Sequence, residues 1–184
     1  MTRFRIDPER SRVWVETKTS VHPIHGEGAG LHGFVEAEVT DGRLDLTETP
    51  KVRVEFPIER LSSGSVLYDG ELRRRAETRR YPDVVGEVRE VTEASAGRYH
   101  VRGDLTFHGV TRQVEGDVGL VVNRDGWLEV RGAQTFNFES FGIKAPRILM
   151  LRVHPDVEVR IHLVAEAEEL GQCEEEGRAC TNWG

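Results

Sequence analysis

Apolar and polar side chains alternate along most of this chain. From Arg98 onward, Tyr99, Val101, Gly103, Leu105 and Phe107 fall on one side, and His100, Arg102, Asp104, Thr106 and His108 on the other. A period of two sets one face against a core and the other in water, which is the mark of a half-buried strand. A tight turn at His108-Gly109 follows, and a second alternating run begins near Thr111. The same rhythm starts at Val13 and Val15, taken as the first strand. It recurs at Val35 to Val39, Val52 to Ile58, Val84 to Val91, Val114 to Val122, Leu128 to Phe138 and Val157 to Ala165. Asp41-Gly42 and Asn123-Arg124-Asp125-Gly126 read as turns. Pro57 has no N–H to give, so it marks a strand end, a bulge or an edge. About eight long strands predict an all-β fold, an antiparallel barrel with room for its own side chains or one small ligand.

One helix interrupts the strands. Asp69 is the expected N-cap, Leu72 and Ala76 repeat at helical spacing, and Tyr81-Pro82 stops the run, giving a helix over 69–80. Two segments read as loops. Thr19 to Gly33 carries His22, His25 and His32 among glycines, and Phe141 to Val153 contains Ile148-Leu149-Met150-Leu151, too apolar for an exposed loop.

Composition narrows the function. The chain has 184 residues, 25 basic against 32 acidic, for a formal net charge of -7, which argues against a general nucleic-acid binder. Residues 1–168 form one expected domain and 169–184 an acidic, flexible tail holding both cysteines, Cys173 and Cys180, which a short loop could pair. The charged start MTRFRIDPER lacks an apolar signal core, and no run is long enough for an integral membrane segment, so a cytoplasmic location is expected.

The ordered landmarks resemble a known family. Gly103-Asp104-Leu105-Thr106-Phe107-His108-Gly109-Val110-Thr111-Arg112 is the most specific. It is joined by the His/Gly-rich loop, Leu61-Ser62-Ser63-Gly64, Glu71-Leu72-Arg73-Arg74, Arg80-Tyr81-Pro82, Phe136-Asn137-Phe138 and Phe141-Gly142-Ile143. This order resembles the YceI-like family of bacterial proteins. The resemblance implies a lipocalin-like barrel whose long apolar tunnel holds a polyisoprenoid, such as an isoprenoid quinone or a polyprenyl phosphate. It implies no catalytic residues, and it implies export for many members. The chain departs from the family where an Arg-Asp-x-His-Leu pattern reads Tyr68-Asp69-Gly70-Glu71-Leu72, where Arg75-Ala76-Glu77 replaces an aromatic pair, and where a first-strand His-Ser reads Arg10-Ser11.

The candidate cavity residues are Val54, Phe56, Leu67, Leu72, Leu105, Phe107, Phe136, Phe138, Phe141, Ile148, Leu149 and Leu151. Guanidinium groups offer paired donors to an anionic head group, which nominates Arg73, Arg74, Arg147 and Arg152, with Arg75, Arg79 and Arg80 nearby. His-x-x-His spacing makes His22, His25 and His32 candidate metal ligands, with His154 near a mouth; their bland reading is loop histidines that bind nothing. His100, His108 and His162 fall on polar faces and read as surface residues. Serines lie outside any nucleophile elbow, and no phosphate-binding loop or dinucleotide fingerprint is present.

The expectation is non-catalytic carriage or storage of a polyisoprenoid or similar amphipathic lipid, with no resident cofactor and a homodimer left open. The alternatives are a metal- or haem-binding barrel, an enzyme on a small apolar substrate, and a solid partner-binding module.

Overall fold

The computed structural model describes residues 1–123 and 125–168; Cys173, Cys180 and the expected acidic tail lie outside the described residues. The strands are β1 (Thr2–Ile6), β2 (Arg12–Thr19), β3 (Ile24–Ala29), β4 (His32–Thr40), β5 (Arg43–Asp45), β6 (Lys51–Pro57) and β7 (Leu61–Ser62). After the helix α1 (Val66–Arg75) come β8 (Asp83–Ser95), β9 (Arg98–Phe107), β10 (Val110–Val122), β11 (Trp127–Asn137), β12 (Arg147–Ile148) and β13 (Leu151–Ala167). Short 3₁₀ turns occupy Ile58–Arg60 and Phe138–Phe141.

Antiparallel pairing runs β1-β4-β6-β8-β9-β10-β11-β13 and returns to β1. β2 prolongs β1 and β3 prolongs β4, so the ring is the closed eight-stave barrel that the alternation predicts. The first stave bends at Asp7–Ser11, where Pro8 interrupts it. The buried Ser11 hydroxyl lies 3.0 Å from the Val164 N–H, whose hydrogen bond it accepts, and so repairs the ladder at the bend.

Several sequence readings need correction. A strand, β1, precedes Val13, and the His/Gly-rich segment is mostly β3 and the start of β4 rather than a loop. The helix spans Val66–Arg75, capped by Ser65, whose side chain accepts from the Tyr68 N–H. It ends where Glu77 turns left-handed (φ 48°), with the Thr78 N–H donating to the Arg73 carbonyl at 3.2 Å, a Schellman-type stop well before Pro82.

Asp41-Gly42 and His108-Gly109 are two-residue hairpin turns with positive φ at both positions, as the right-handed twist of the flanking strands requires. At Gly109 a side chain has no space either, because its Cβ would lie 2.6 Å from the Tyr81 ring. His108 is not the surface residue its polar face suggests. Its ring nitrogens lie 2.7 Å from a Glu77 carboxylate oxygen and 3.1 Å from the Phe141 carbonyl oxygen. The ring therefore ties the end of α1 to the β9–β10 turn and the second 3₁₀ turn.

The barrel is packed unevenly. One end is filled by Phe4, Ile6, Val35, Ala37, Tyr99, Leu120, Leu128, Leu163 and Ala165, all buried. The other end, under α1 and the 3₁₀ turn at Phe138–Phe141, is hollow.

Candidate ligand-binding cavity

The hollow end holds a cavity of about 500 Å³, within the range of about 300–1,000 Å³ usual for small-molecule pockets. Its walls are the inward faces of the strands. Val13 and Val15 come from β2, Val54 and Phe56 from β6, Leu105 and Phe107 from β9, Val114 and Val118 from β10, and Val157, Val159 and Ile161 from β13. Val13, Leu31 and Phe56 of the same buried cluster line it, but the nine residues named for the opposite end do not. The void is thus a floored pocket rather than the long tunnel that the resemblance implies.

Of the residues nominated from sequence, Val54, Phe56, Leu72, Leu105, Phe107, Phe136, Phe138, Phe141 and Ile148 line the cavity. Three do not. Leu67, on the outer side of α1, is 49% exposed. Leu149 and Met150 form the two-residue turn between β12 and β13 and stand out at 84% and 95% exposure. Leu151, half-buried in that hairpin, contributes nothing to the lining.

α1 presents Tyr68, Leu72 and Arg75 to the cavity, the i, i+4, i+7 face of one helix. Arg73 and Arg74 point elsewhere: Arg73 Nη2 donates to the Glu59 carbonyl, and Arg74 Nη2 donates to Glu71 Oε1 at 2.7 Å. Arg147 and Arg152 are exposed and also absent from the lining. Arg75, which lines the cavity, donates to Glu71 Oε1 at 2.7 Å. These bonds from Arg74 and Arg75 hold the Glu71 carboxyl below the usual carboxylate range. Asp69 is no N-cap but the anchor of the serine loop, accepting from the Ser63 N–H at 2.8 Å and the Ser63 hydroxyl at 2.6 Å. Burial pushes its carboxyl up, yet the bonds from Ser63 and Ser62 and the nearby Arg73 outweigh it, and the net shift is downward.

The histidines do not converge. His22 Nδ1 faces the Pro23 carbonyl, His25 Nδ1 lies 3.1 Å from Glu16, and His32 Nδ1 faces the Gly30 carbonyl. Among the described residues no group of three or more His, Cys, Asp or Glu side chains is placed to hold a metal ion. His25 alone reaches the cavity, at its rim with Ser63. His154 sits beside Asp156 at 3.8 Å.

Sequence reasoning missed an opening in the barrel wall. β9 pairs with β10 along its whole length, and β11 with β13, but β10 and β11 pair with each other only from Val118–Val122 to Gly132–Leu128. Beyond that point, towards the hollow end, the wall carries a seam. Gln134 Nε2 donates to the Glu115 carbonyl across it, and Arg112 Nε donates to the Ser140 carbonyl, both at 2.9 Å. Consecutive residues on both sides, Val114 to Val118 and Gly132 to Gln134, line the cavity, and Gln134 is exposed, so the void reaches solvent here. The available signal was the interruption of an apolar face by Gly116, Gly132 and Gln134, whose side chain lies over the space that Gly116 leaves.

Comparison with solved structures places this architecture among known barrels. A Burkholderia cenocepacia protein, BcnA, superimposes with a TM-score of 0.72 at 16% identity, over 86% of this chain and 98% of its own. A polyisoprenoid-binding domain from Saccharophagus degradans, described as implicated in plant cell wall breakdown, gives 0.72 at 16% identity, over 91% and 100%. The Campylobacter jejuni YceI protein gives 0.63 at 15%, over 79% and 85%. A comparison with curated protein sequences finds no match. A family model for the YceI-like domain matches residues 4–165, from the first strand of the barrel to the last, and the chain belongs to the YceI-like family.

Proposed function

We propose that this protein sequesters a polyisoprenoid or a similar amphipathic lipid, as a carrier or store and not as a catalyst. The observation that carries this reading is the distribution of polarity in the cavity. Aliphatic and phenyl side chains make up most of its lining, and the polar lining residues include His25, Ser63, Tyr68, Asp69, Glu71 and Arg75 on and beside α1 and Glu115, Asp117 and Gln134 along the seam. A molecule with a hydrocarbon tail and a polar head matches that distribution. Each buried CH₂ contributes roughly 0.8 kcal/mol, so roughly ten of them supply roughly 8 kcal/mol before ordering costs. The polyisoprenoid-binding description of the Saccharophagus domain supports the same ligand class.

The head group would lie against Arg75 and His25, with Arg73, Arg74, Arg147 and Arg152 farther out. A carrier fits better than an enzyme, because the polar groups at the α1 end bind one another: Asp69 serves Ser62 and Ser63, and Glu71 serves Arg74 and Arg75. Native mass spectrometry of freshly purified protein, followed by lipid extraction, tests the proposal. The expected result is a bound mass that yields an isoprenoid or comparable lipid. An apo protein that also fails to bind added menaquinone and undecaprenyl phosphate would overturn it.

A further inference from the structure

Leu149 and Met150 are the least explained side chains of the barrel. They are large and apolar, yet 84% and 95% exposed, and Leu149 holds a left-handed backbone (φ 57°) that its branched side chain disfavours. A two-residue turn needs neither residue; asparagine and glycine are the usual occupants. A third exposed apolar side chain stands beside them. Ser20 joins the hairpin, its N–H donating to the Arg152 carbonyl at 3.0 Å and its hydroxyl accepting from the Arg152 N–H at 3.1 Å, and the next residue, Val21, is 74% exposed. Val66, 92% exposed, follows β7, which runs beside β3 towards this same end of the barrel.

Charge singles out the same place. The protein carries a formal net charge of -7, but no acidic residue occurs from Ser140 to Pro155 or from Thr17 to Gly26, the two segments that build this tip. Lys18, Lys144, Arg147 and Arg152 are exposed there, and none forms an ion pair among the described residues. On the strands below, by contrast, Arg53, Arg89 and Arg102 are each paired with carboxylates. An apolar tip ringed by unpaired cations on an otherwise acidic protein is complementary to one kind of surface, a bilayer with anionic head groups.

We propose that the β12–β13 hairpin and the neighbouring Val21 loop dock this barrel on anionic lipid membranes, with Leu149 and Met150 entering the acyl boundary and the four cations lying in the head-group layer. The docking goes beyond the cavity reading and does not depend on what the cavity holds. Both tip segments adjoin the cavity, through Ile24, Ile148 and Val153, so docking would bring the hollow end of the barrel against the membrane.

Co-sedimentation of the full chain with vesicles tests the docking. Phosphatidylcholine vesicles doped with phosphatidylglycerol should bind the protein at least about tenfold more tightly than phosphatidylcholine alone, and less tightly as salt rises. Leu149→Asp/Met150→Asp, and separately Lys144→Gln/Arg147→Gln/Arg152→Gln, should each lower binding by about tenfold or more. Leu149→Asn/Met150→Gly, with favoured turn residues, must also lose it, with circular dichroism as the check that its fold is intact. Val118→Trp, which fills the cavity, should lose lipid cargo and keep vesicle binding, so the two proposals fail separately. The docking is overturned if the wild type ignores anionic vesicles, if the tip variants bind as well as it does, or if ultracentrifugation shows the tip holding two copies together instead.

Discussion

At the residue scale, Gly109 and Ser11 carry more than their size suggests. Gly109 combines a φ of 71° with a Tyr81 ring packed where a side chain would begin. Gly109→Ala adds left-handed strain to a steric clash and should cost roughly 2–4 kcal/mol in urea-induced unfolding. Ser11→Ala leaves the buried Val164 N–H without its acceptor and should cost roughly 1–3 kcal/mol by the same measurement. The motif around Gly103 to Arg112 was legible as a strand, a turn and a strand, because alternation and a turn glycine are local signals. The role of His108 was not, since its partners Glu77 and Phe141 lie far away in sequence and meet it only once the barrel closes.

At the scale of elements, α1 is weakly held. None of its residues is fully buried, and its lid position depends on Asp69 with the serine loop and on Glu71 with Arg74 and Arg75. Both carboxyls have folded-state pKa values below their usual range. Their contribution is therefore complete above the usual carboxylate pKa and is lost as pH falls through the lower folded values. As pH falls below the usual carboxylate range, NMR amide resonances of residues 62–76 should move towards unfolded values while those of the solid end keep their native positions, and Asp69→Asn should bring the same change at neutral pH. The seam makes a second prediction. Amides of Val110–Asp117 and Ala133–Asn137 that point into the seam should exchange with deuterium at least about a hundredfold faster than their alternate neighbours bonded to β9 and β13. The helix boundaries escaped sequence reasoning because Ser62, Ser63, Ser65 and Asp69 all have capping chemistry, and only the fold decides which one caps. β3 escaped because Ile24 to Ala29 has almost no apolar side chains to alternate; its pairing with β2 defines it.

At the scale of the whole molecule, packing is divided between a solid end and a hollow end, and stability should follow that division. Leu128→Ala, in the solid end, should cost about 2–5 kcal/mol, whereas Val157→Ala on the cavity wall should cost under about 1.5 kcal/mol, because few atoms face it across the void. Thermal or urea unfolding of the two variants checks the contrast. The closed antiparallel ring was legible because nearly every stave carries its own alternation. The uneven filling was not. Phe4 and Phe56 follow the same inward rhythm and share one buried cluster, yet only Phe56 lines the void.

The plug of Phe4, Tyr99, Leu128 and their neighbours gives the barrel the shape of a thimble. A hydrocarbon guest of the kind proposed could not thread through it, and would have to leave by the way it entered. A short chain would fit whole, while each unit added to a longer one would stay outside or double back. The depth to that plug would then act as a ruler, and affinity should climb with chain length and level off once the thimble is full.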